Sequence, residues 1–443
     1  MTSTSRFGVS RRENHDASAF YDRFPPPTFC DDDDVAPVRI DRLVCGDARD
    51  MALVPDRSVA LVVTSPPYFA GKAYEEALGE GGVPATYLEY LAMLRDVFAE
   101  CVRTLEPGGR IAVNVANLGR KPYRSLSADV VAILQDDLRL LLRGEVIWRK
   151  ARGSAGNCAW GSFQRPANPV LRDLTERVVV ASKGRLDRAV PAKARARRGL
   201  PSEHSLTRDE FLEATTDVWE LPAESATRVG HPAPFPPALP ERLIHLYTYV
   251  DDLVLDPFMG AGTTAVAAVR TGRSYVGYDT DPAYVEAAKA RVAGETLRVP
   301  PSVGSGPLAA ALADGRAVRD VAAALLEECG FVDIADGGRT DADLRAVDRR
   351  GRRWSFLVAG GFTTVPSGLS RSDVLWRVLG QATALQLAEP DVPVVVVTTD
   401  LPPSPGGLRK AVGAGGPLAD VVVVLDAADR ARLAAQAAGG PGS

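Results

Sequence analysis

A chain of 443 residues, 46% of them hydrophobic, is long enough for two cores at the usual domain size of about 100–200 residues, and its formal net charge of −4 excludes a globally basic nucleic-acid binder. Five scattered cysteines, Cys30, Cys45, Cys101, Cys158 and Cys329, lack the close pairing of a disulfide framework or a zinc site. No uncharged stretch approaches the roughly 18 apolar residues that span a bilayer, and no basic-then-apolar leader pattern is present, so a reduced cytoplasmic protein without membrane or metal partners is expected.

Residues 1–37 are polar and proline-rich, carry the acidic run Asp31–Asp34, and read as a poorly ordered arm. From Ile40 onward the pattern predicts strands at Ser58–Thr64, Arg110–Val115, Glu145–Arg149, Arg177–Ala181, Leu253–Asp256 and Ser274–Tyr278, with helices at Tyr87–Leu105 and Ser127–Leu142. Short apolar runs alternating with helical patterns predict an α/β domain over 38–297, a doubly wound and mostly parallel sheet. Pro300, Pro301, Gly304, Gly306 and Pro307 mark a linker over 298–307. A smaller α/β domain is predicted over 308–437, with strands at Val347–Arg349, Trp354–Val358 and Val394–Thr398, before a short tail at 438–443.

Two segments carry chemistry. The run from Leu253 through Asp256, Phe258, Gly260, Gly262 and Thr263 to Val269 is a strand, a glycine turn and a helix, the place where an α/β sheet opens a ligand crevice. Gly260 and Gly262 let the backbone turn tightly against a ligand, and Asp256 can face an ammonium group. Asp279 ends the next strand about 20 residues beyond the first glycine, the spacing for a carboxylate on ribose hydroxyls. The turn lacks the third spaced glycine of a dinucleotide site and the Lys-Ser/Thr of a P-loop, so a nucleotide without pyrophosphate fits better; S-adenosylmethionine has that character.

The second segment runs from Ser58 into Ser65, Pro66, Pro67 and Tyr68. Consecutive prolines fix φ and remove two donors, leaving acceptors, and acceptors suit an amino-group substrate. The Ser65 hydroxyl and Pro66 carbonyl would hold an exocyclic N–H pair so that the nitrogen lone pair points at a methyl donor. Tyr68 would supply a flat face for a base extruded from the duplex.

Together, Thr64-Ser65-Pro66-Pro67-Tyr68 and Asp256 through Thr264 resemble the N4-cytosine and N6-adenine DNA methyltransferases, in the permuted order where the catalytic tetrapeptide precedes the cofactor loop. The resemblance covers roughly residues 38–295 and includes Cys45-Gly46-Asp47, Leu105–Ile111, Ile147–Lys150, Asp217–Trp219 and His231–Pro236 in the family order. It implies a Rossmann-like methyltransferase fold, S-adenosylmethionine as cofactor with Asp47 near its adenine end, and double-stranded DNA as substrate. Ser at the first motif position implies N4 of cytosine, N6 of adenine being the alternative. An inactive DNA-binding or assembly protein is the third possibility, against which the intact motifs stand. Site-specific modification paired with a cognate restriction endonuclease is the implied setting. C5 methylation fits poorly, because no Pro-Cys nucleophile pair is present.

DNA contacts are expected in an insert over about 151–230. There Lys183, Arg185, Arg188, Lys193, Arg195, Arg197 and Arg198 face only Asp187, and Lys193, Arg195, Arg197 and Arg198 are the expected phosphate contacts. Gly153–Asn168, with Trp160 and Phe163, is the other candidate, and His231 reads as a positioning residue. In the C-terminal domain, Asp343 and the Arg353–Phe362 segment look like a restriction-endonuclease-like hairpin. The Glu-x-Lys that such nucleases need is replaced by Leu357 and Ala359, so a degenerate nuclease fold is expected, with Arg349, Arg350, Arg352 and Arg353 available to DNA.

Overall fold

A computed structural model describes residues 25–36, 38–69, 86–117, 123–150, 171, 174–224, 235–298, 303–338, 342–404, 406–413 and 415–439. The chain forms two compact units, one of residues 1–203 and 217–296, the other of 204–216 and 297–443. Gly153–Asn168, His231 and residues 1–24 lie outside the described residues.

The elements of the first unit run β1 (Arg42–Cys45), β2 (Val59–Thr64), α1 (Tyr87–Thr104), β3 (Leu105–Val115), α2 (Leu126–Ala132), β4 (Leu141–Lys150), β5 (Thr175–Ser182) and α3 (Ala192–Arg197). After α4 (Arg208–Ala214), which belongs to the second unit, come β6 (Val218–Leu221), α5 (Ala238–Tyr247), β7 (Leu253–Asp256), α6 (Thr263–Thr271), β8 (Ser274–Asp279) and α7 (Pro282–Ala293). The eight strands form one sheet in the order β1-β8-β7-β2-β3-β5-β4-β6. Only β5 runs against the rest. Every residue of β2 is buried, as a central strand covered on both faces must be, which explains its unbroken apolar run. Helix α1 opens on a capping box between Thr86 and Glu89, and buries Tyr90, Leu94, Val97, Phe98 and Cys101, one stripe at helical spacing.

Three sequence expectations need correction. The helix expected over Ser127–Leu142 stops at Ala132, passes through one π turn at Ile133–Asp137, and gives way to β4 at Leu141, because Leu141 and Leu142 pair with β5. The arm is not loose over residues 25–36: Cys30 N donates to Gly184 O, Asp32 and Asp34 pair with Arg57, and Asp33 pairs with Arg198. The acidic run is therefore a set of counter-charges. Finally, residues 204–216, read as part of the recognition insert, fold with the C-terminal unit. There the Asp209 carboxylate accepts from the backbone N–H of Val318 and of Phe362, each at 2.9 Å, and Glu210 accepts from Thr364 N.

The second unit continues with α8 (Pro307–Ala313), α9 (Val318–Cys329), β9 (Val332–Asp336), β10 (Leu344–Val347), β11 (Arg353–Ala359), α10 (Ser372–Ala388), β12 (Val394–Thr398), α11 (Gly406–Ala411), β13 (Asp420–Val423) and α12 (Ala427–Ala437). Its sheet, β13-β12-β11-β10-β9, is antiparallel through the β9–β10–β11 meander and parallel beyond it. Helices α8, α9 and α12 cover one face and α10 the other. Leu357 and Ala359 are fully buried in β11, and the Asp343 carboxylate accepts from Val358 N at 2.7 Å. The hairpin thus presents apolar packing where a nuclease would hold its metal.

Candidate active site

The two chemical segments lie on adjacent strands. Strand β7 pairs with β2 through Leu255 and Val62, so the turn after Asp256 and the tetrapeptide after Thr64 leave the sheet side by side at its carboxyl edge. From this point β8 and β1 extend to one side and β3 to the other, the switch point at which doubly wound sheets open a crevice.

Asp256 is 2% exposed and does not face an incoming ammonium group, contrary to expectation. Its Oδ1 accepts from the Thr64 hydroxyl at 2.7 Å and from Phe258 N at 3.1 Å, and its Oδ2 accepts from the Thr264 hydroxyl at 2.6 Å. Burial raises its pKa to about 6. The carboxylate locks the glycine turn onto β2. Phe258 is half-buried against the main core, and Thr263 is buried, its hydroxyl accepting from Arg291 at 3.2 Å.

Gly262 has φ 76°, and a Cβ there would lie 2.7 Å from the Ala288 Cβ, so only glycine lets α6 and α7 approach this closely. Gly260 also has positive φ, and its N–H donates to Asp279 Oδ2 at 2.9 Å. Asp279 Oδ1 accepts from Asp281 N, and burial raises the carboxyl pKa. An ionised carboxylate has about four acceptor sites, so two backbone donors leave Asp279 capacity for hydroxyl groups while its charge disfavours phosphate. Asp47, at the end of β1, lies beside this carboxylate's strand: Gly46 N donates to Asp279 O, and the exposed Asp47 carboxylate pairs with Arg49. The donor set fits a nucleoside without phosphates.

On the other side, Ser65 is half-buried and its Oγ lies 2.9 Å from the Tyr68 hydroxyl. Tyr68 is 4% exposed, with its ring inside the core, so the open flat platform expected of it is absent. Its hydroxyl donates to Glu176 Oε2 at 3.0 Å. Asn114 Nδ2 donates to the same oxygen at 2.6 Å, and Lys150 pairs with Glu176 Oε1. Pro66 is buried, and the Pro67 carbonyl accepts from the Tyr90 hydroxyl at 2.5 Å. Phe69, stacked on Tyr90 at 5.2 Å, has φ 52°, a strained value for an aromatic residue and one that turns the chain sharply after the tetrapeptide.

Sequence reasoning missed Asn114 and Glu176 as site residues. The signal was available: each is a polar side chain inside an apolar, buried strand.

The expected phosphate contacts are not at this edge. Arg195 is 1% exposed, donating to Asp252 at 2.9 Å and approaching Glu106 at 3.4 Å, and Arg188 pairs with the same two carboxylates. Both guanidinium groups lie over the Tyr249 ring. Lys183 donates to the Leu105 carbonyl at 2.6 Å. Glu106 and Asp252 stand at the starts of β3 and β7, so α3 sits at the amino edge, opposite Ser65. Lys193, Arg197 and Arg198 are exposed on or just after that helix, hence remote from an extruded base. Buried carboxylates far away in sequence required these arginines, and a count of local charges could not register them.

Among the described residues no group of three or more His, Cys, Asp or Glu side chains could hold a metal ion, and no helix is long and apolar enough to cross a membrane.

The family described as DNA methylase, the N6/N4 methylases, matches residues 59–290, just over half of the chain. Type II methyltransferase M.MjaI of Methanocaldococcus jannaschii is 29% identical over 273 residues, spanning 54% of this chain and 87% of that protein. Type II methyltransferase M.BglI of Bacillus subtilis is 28% identical over 299 residues, spanning 54% and 82%. Among solved structures, a DNA modification methylase of Thermus thermophilus, TTHA0409, complexed with S-adenosyl-L-methionine, is 29% identical, with a TM-score of 0.44, covering 58% of this chain and 98% of its own.

Proposed function

This chain belongs to the N6/N4 DNA methylase family, and from that premise we propose that it transfers a methyl group from S-adenosylmethionine to N4 of cytosine in double-stranded DNA. The observation that carries the reading is the pair of motifs on adjacent strands, with the Ser65 hydroxyl beside the crevice that the glycine turn opens. Asp279 would accept the ribose hydroxyls, the backbone from Phe258 to Thr263 would pass close to the nucleoside, and Asp47 would lie toward its adenine end. The cofactor, when bound, supplies an electrophilic methyl group on sulfonium.

Everything else falls to this chain's own residues. An exocyclic amino group is a weak nucleophile because its lone pair is delocalised into the ring. Accepting its N–H hydrogens at Ser65 Oγ and the Pro66 carbonyl localises that lone pair and aims it, which is transition-state stabilisation by orientation. The base must leave the duplex to reach these groups. Serine at the first motif position favours cytosine N4; adenine N6 is the second reading. Recognition is assigned to Gly153–Asn168, because the chain leaves the sheet at Lys150 and rejoins it at Thr175, both at the carboxyl edge that bears Ser65. The C-terminal unit, whose hairpin turn exposes Arg349, Arg350, Arg352 and Arg353, serves as a degenerate nuclease-like DNA-positioning unit or docks a cognate endonuclease. Digesting DNA to nucleosides after incubation with labelled cofactor tests the reading. N4-methylcytosine supports it, N6-methyladenine moves it to the second reading, and no modified base overturns it.

A further inference from the structure

The hydrogen bonds around Tyr68 have a direction that donor arithmetic settles. Glu176 Oε1 holds the Lys150 ammonium, and Oε2 receives both the Tyr68 hydroxyl at 3.0 Å and Asn114 Nδ2 at 2.6 Å. A carboxylate only accepts, and a tyrosine hydroxyl has one hydrogen. With that hydrogen committed to Glu176, the 2.9 Å contact between Tyr68 and Ser65 needs its hydrogen from Ser65. Asn114 Nδ2, 3.2 Å from the Tyr68 oxygen, reinforces the same polarity. Ser65 then has no hydrogen left for the substrate, and its oxygen offers lone pairs alone.

We infer that Glu176 is a positioning residue for methyl transfer: acting through Tyr68, it orients the Ser65 hydroxyl so that the oxygen faces the substrate amino group as an acceptor. The inference rests on the reading of Ser65 as an amino-group acceptor. Its physical content is that a hydroxyl free to rotate spends part of its time donating, which repels an N–H and draws on the very lone pair that must attack. Glu176 is 6% exposed, on the strand next to β3, and Lys150 and Asn114 hold it from the two flanking strands. Those two strands fix its position independently of the tetrapeptide.

The test is a double-mutant cycle on single-turnover methyl transfer, using the full chain, S-adenosylmethionine and a DNA substrate that the wild-type protein methylates. Glu176→Ala is expected to slow the transfer step by about 10²-fold while cofactor affinity stays within about two-fold; Glu176→Gln, whose carbonyl still accepts from Tyr68, is expected to lose only about 10-fold. In a Tyr68→Phe background, with the connecting hydroxyl gone, Glu176→Gln should slow transfer by less than about two-fold further. Additive losses in the cycle, or Gln no better than Ala, would show that Glu176 acts only as packing or as the Lys150 partner, and would overturn the inference. Should Glu176→Ala fail to fold, the Gln arm of the cycle decides alone. A wild-type protein that methylates no amino group sinks the function itself, whereas an active wild type with an unaffected Glu176→Gln variant sinks only this inference.

Discussion

The Thr64 hydroxyl donates to Asp256 Oδ1 at 2.7 Å, joining two residues 192 positions apart in the chain. Thr64 is the last residue of the strand that carries Ser65, and Asp256 begins the glycine turn. One hydrogen bond therefore sets the distance between the group expected to hold the substrate and the turn expected to hold the cofactor. Replacing Asp256 by Ala leaves two buried hydroxyls and a backbone N–H without their acceptor. A loss of about 2–4 kcal/mol in unfolding free energy is expected, measured by urea denaturation. A loss below about 0.5 kcal/mol would mean the three bonds contribute little.

Ser65→Ala should lower single-turnover methyl transfer by about 10²-fold and leave S-adenosylmethionine affinity within a few-fold, since the hydroxyl acts on the substrate amino group. Equal losses of affinity and rate would place Ser65 in the cofactor site instead.

Asp279→Ala has the reverse expected signature. Removing a charged acceptor from ribose hydroxyls costs roughly 1.5–3 kcal/mol of cofactor binding, or about 10- to 100-fold in Kd by isothermal titration. Unchanged affinity would move the ribose contact elsewhere.

The basic residues separate by burial. Arg195→Ala strands Glu106 and Asp252 in the interior and should cost about 3–5 kcal/mol of stability. The triple variant Lys193→Ala, Arg197→Ala, Arg198→Ala should fold normally and keep the wild-type DNA affinity and salt dependence. Arg165→Ala, in the segment assigned to recognition, should make the slope of log affinity against log salt shallower by about 0.9. A shallower slope in the triple variant would return DNA to the amino edge.

Two buried groups give stability opposing pH dependences. Burial pushes the His245 pKa down to about 4, so the unfolded chain takes up a proton below about pH 6.5 that the folded state refuses, and stability falls as pH drops toward 4, by up to roughly 3 kcal/mol. Burial raises Asp256 to about 6, so the folded state holds that proton more tightly, and its contribution is greatest near pH 4 and is lost as pH rises through 6. Between pH 4 and 6 the two nearly cancel in the wild type. His245→Asn should expose the difference, gaining roughly 2–3 kcal/mol relative to wild type between pH 7 and pH 4.5 in urea titrations; a pH-independent difference would refute the assignment.

Much of this protein was legible before any coordinates. The apolar runs of β2 and β7, the two prolines after Ser65, and Gly260 and Gly262 are local statements, because strand burial, φ restriction and positive φ are each dictated by a few consecutive residues. They were enough to identify the fold, the family resemblance and both halves of the crevice. Only the tertiary structure could decide what long-range pairing decides. It turned Asp256 inward to Thr64 and Thr264, drew Arg195 to Glu106 and Asp252, and joined Asp209 to Val318 and Phe362 of another stretch of chain. It also brought Glu176 to Tyr68 across 108 positions. A charged side chain in the sequence announces its charge but not its partner, since the partner is chosen by the cost of leaving a buried charge or hydrogen-bonding group alone, and that cost exists only once the chain has closed around it.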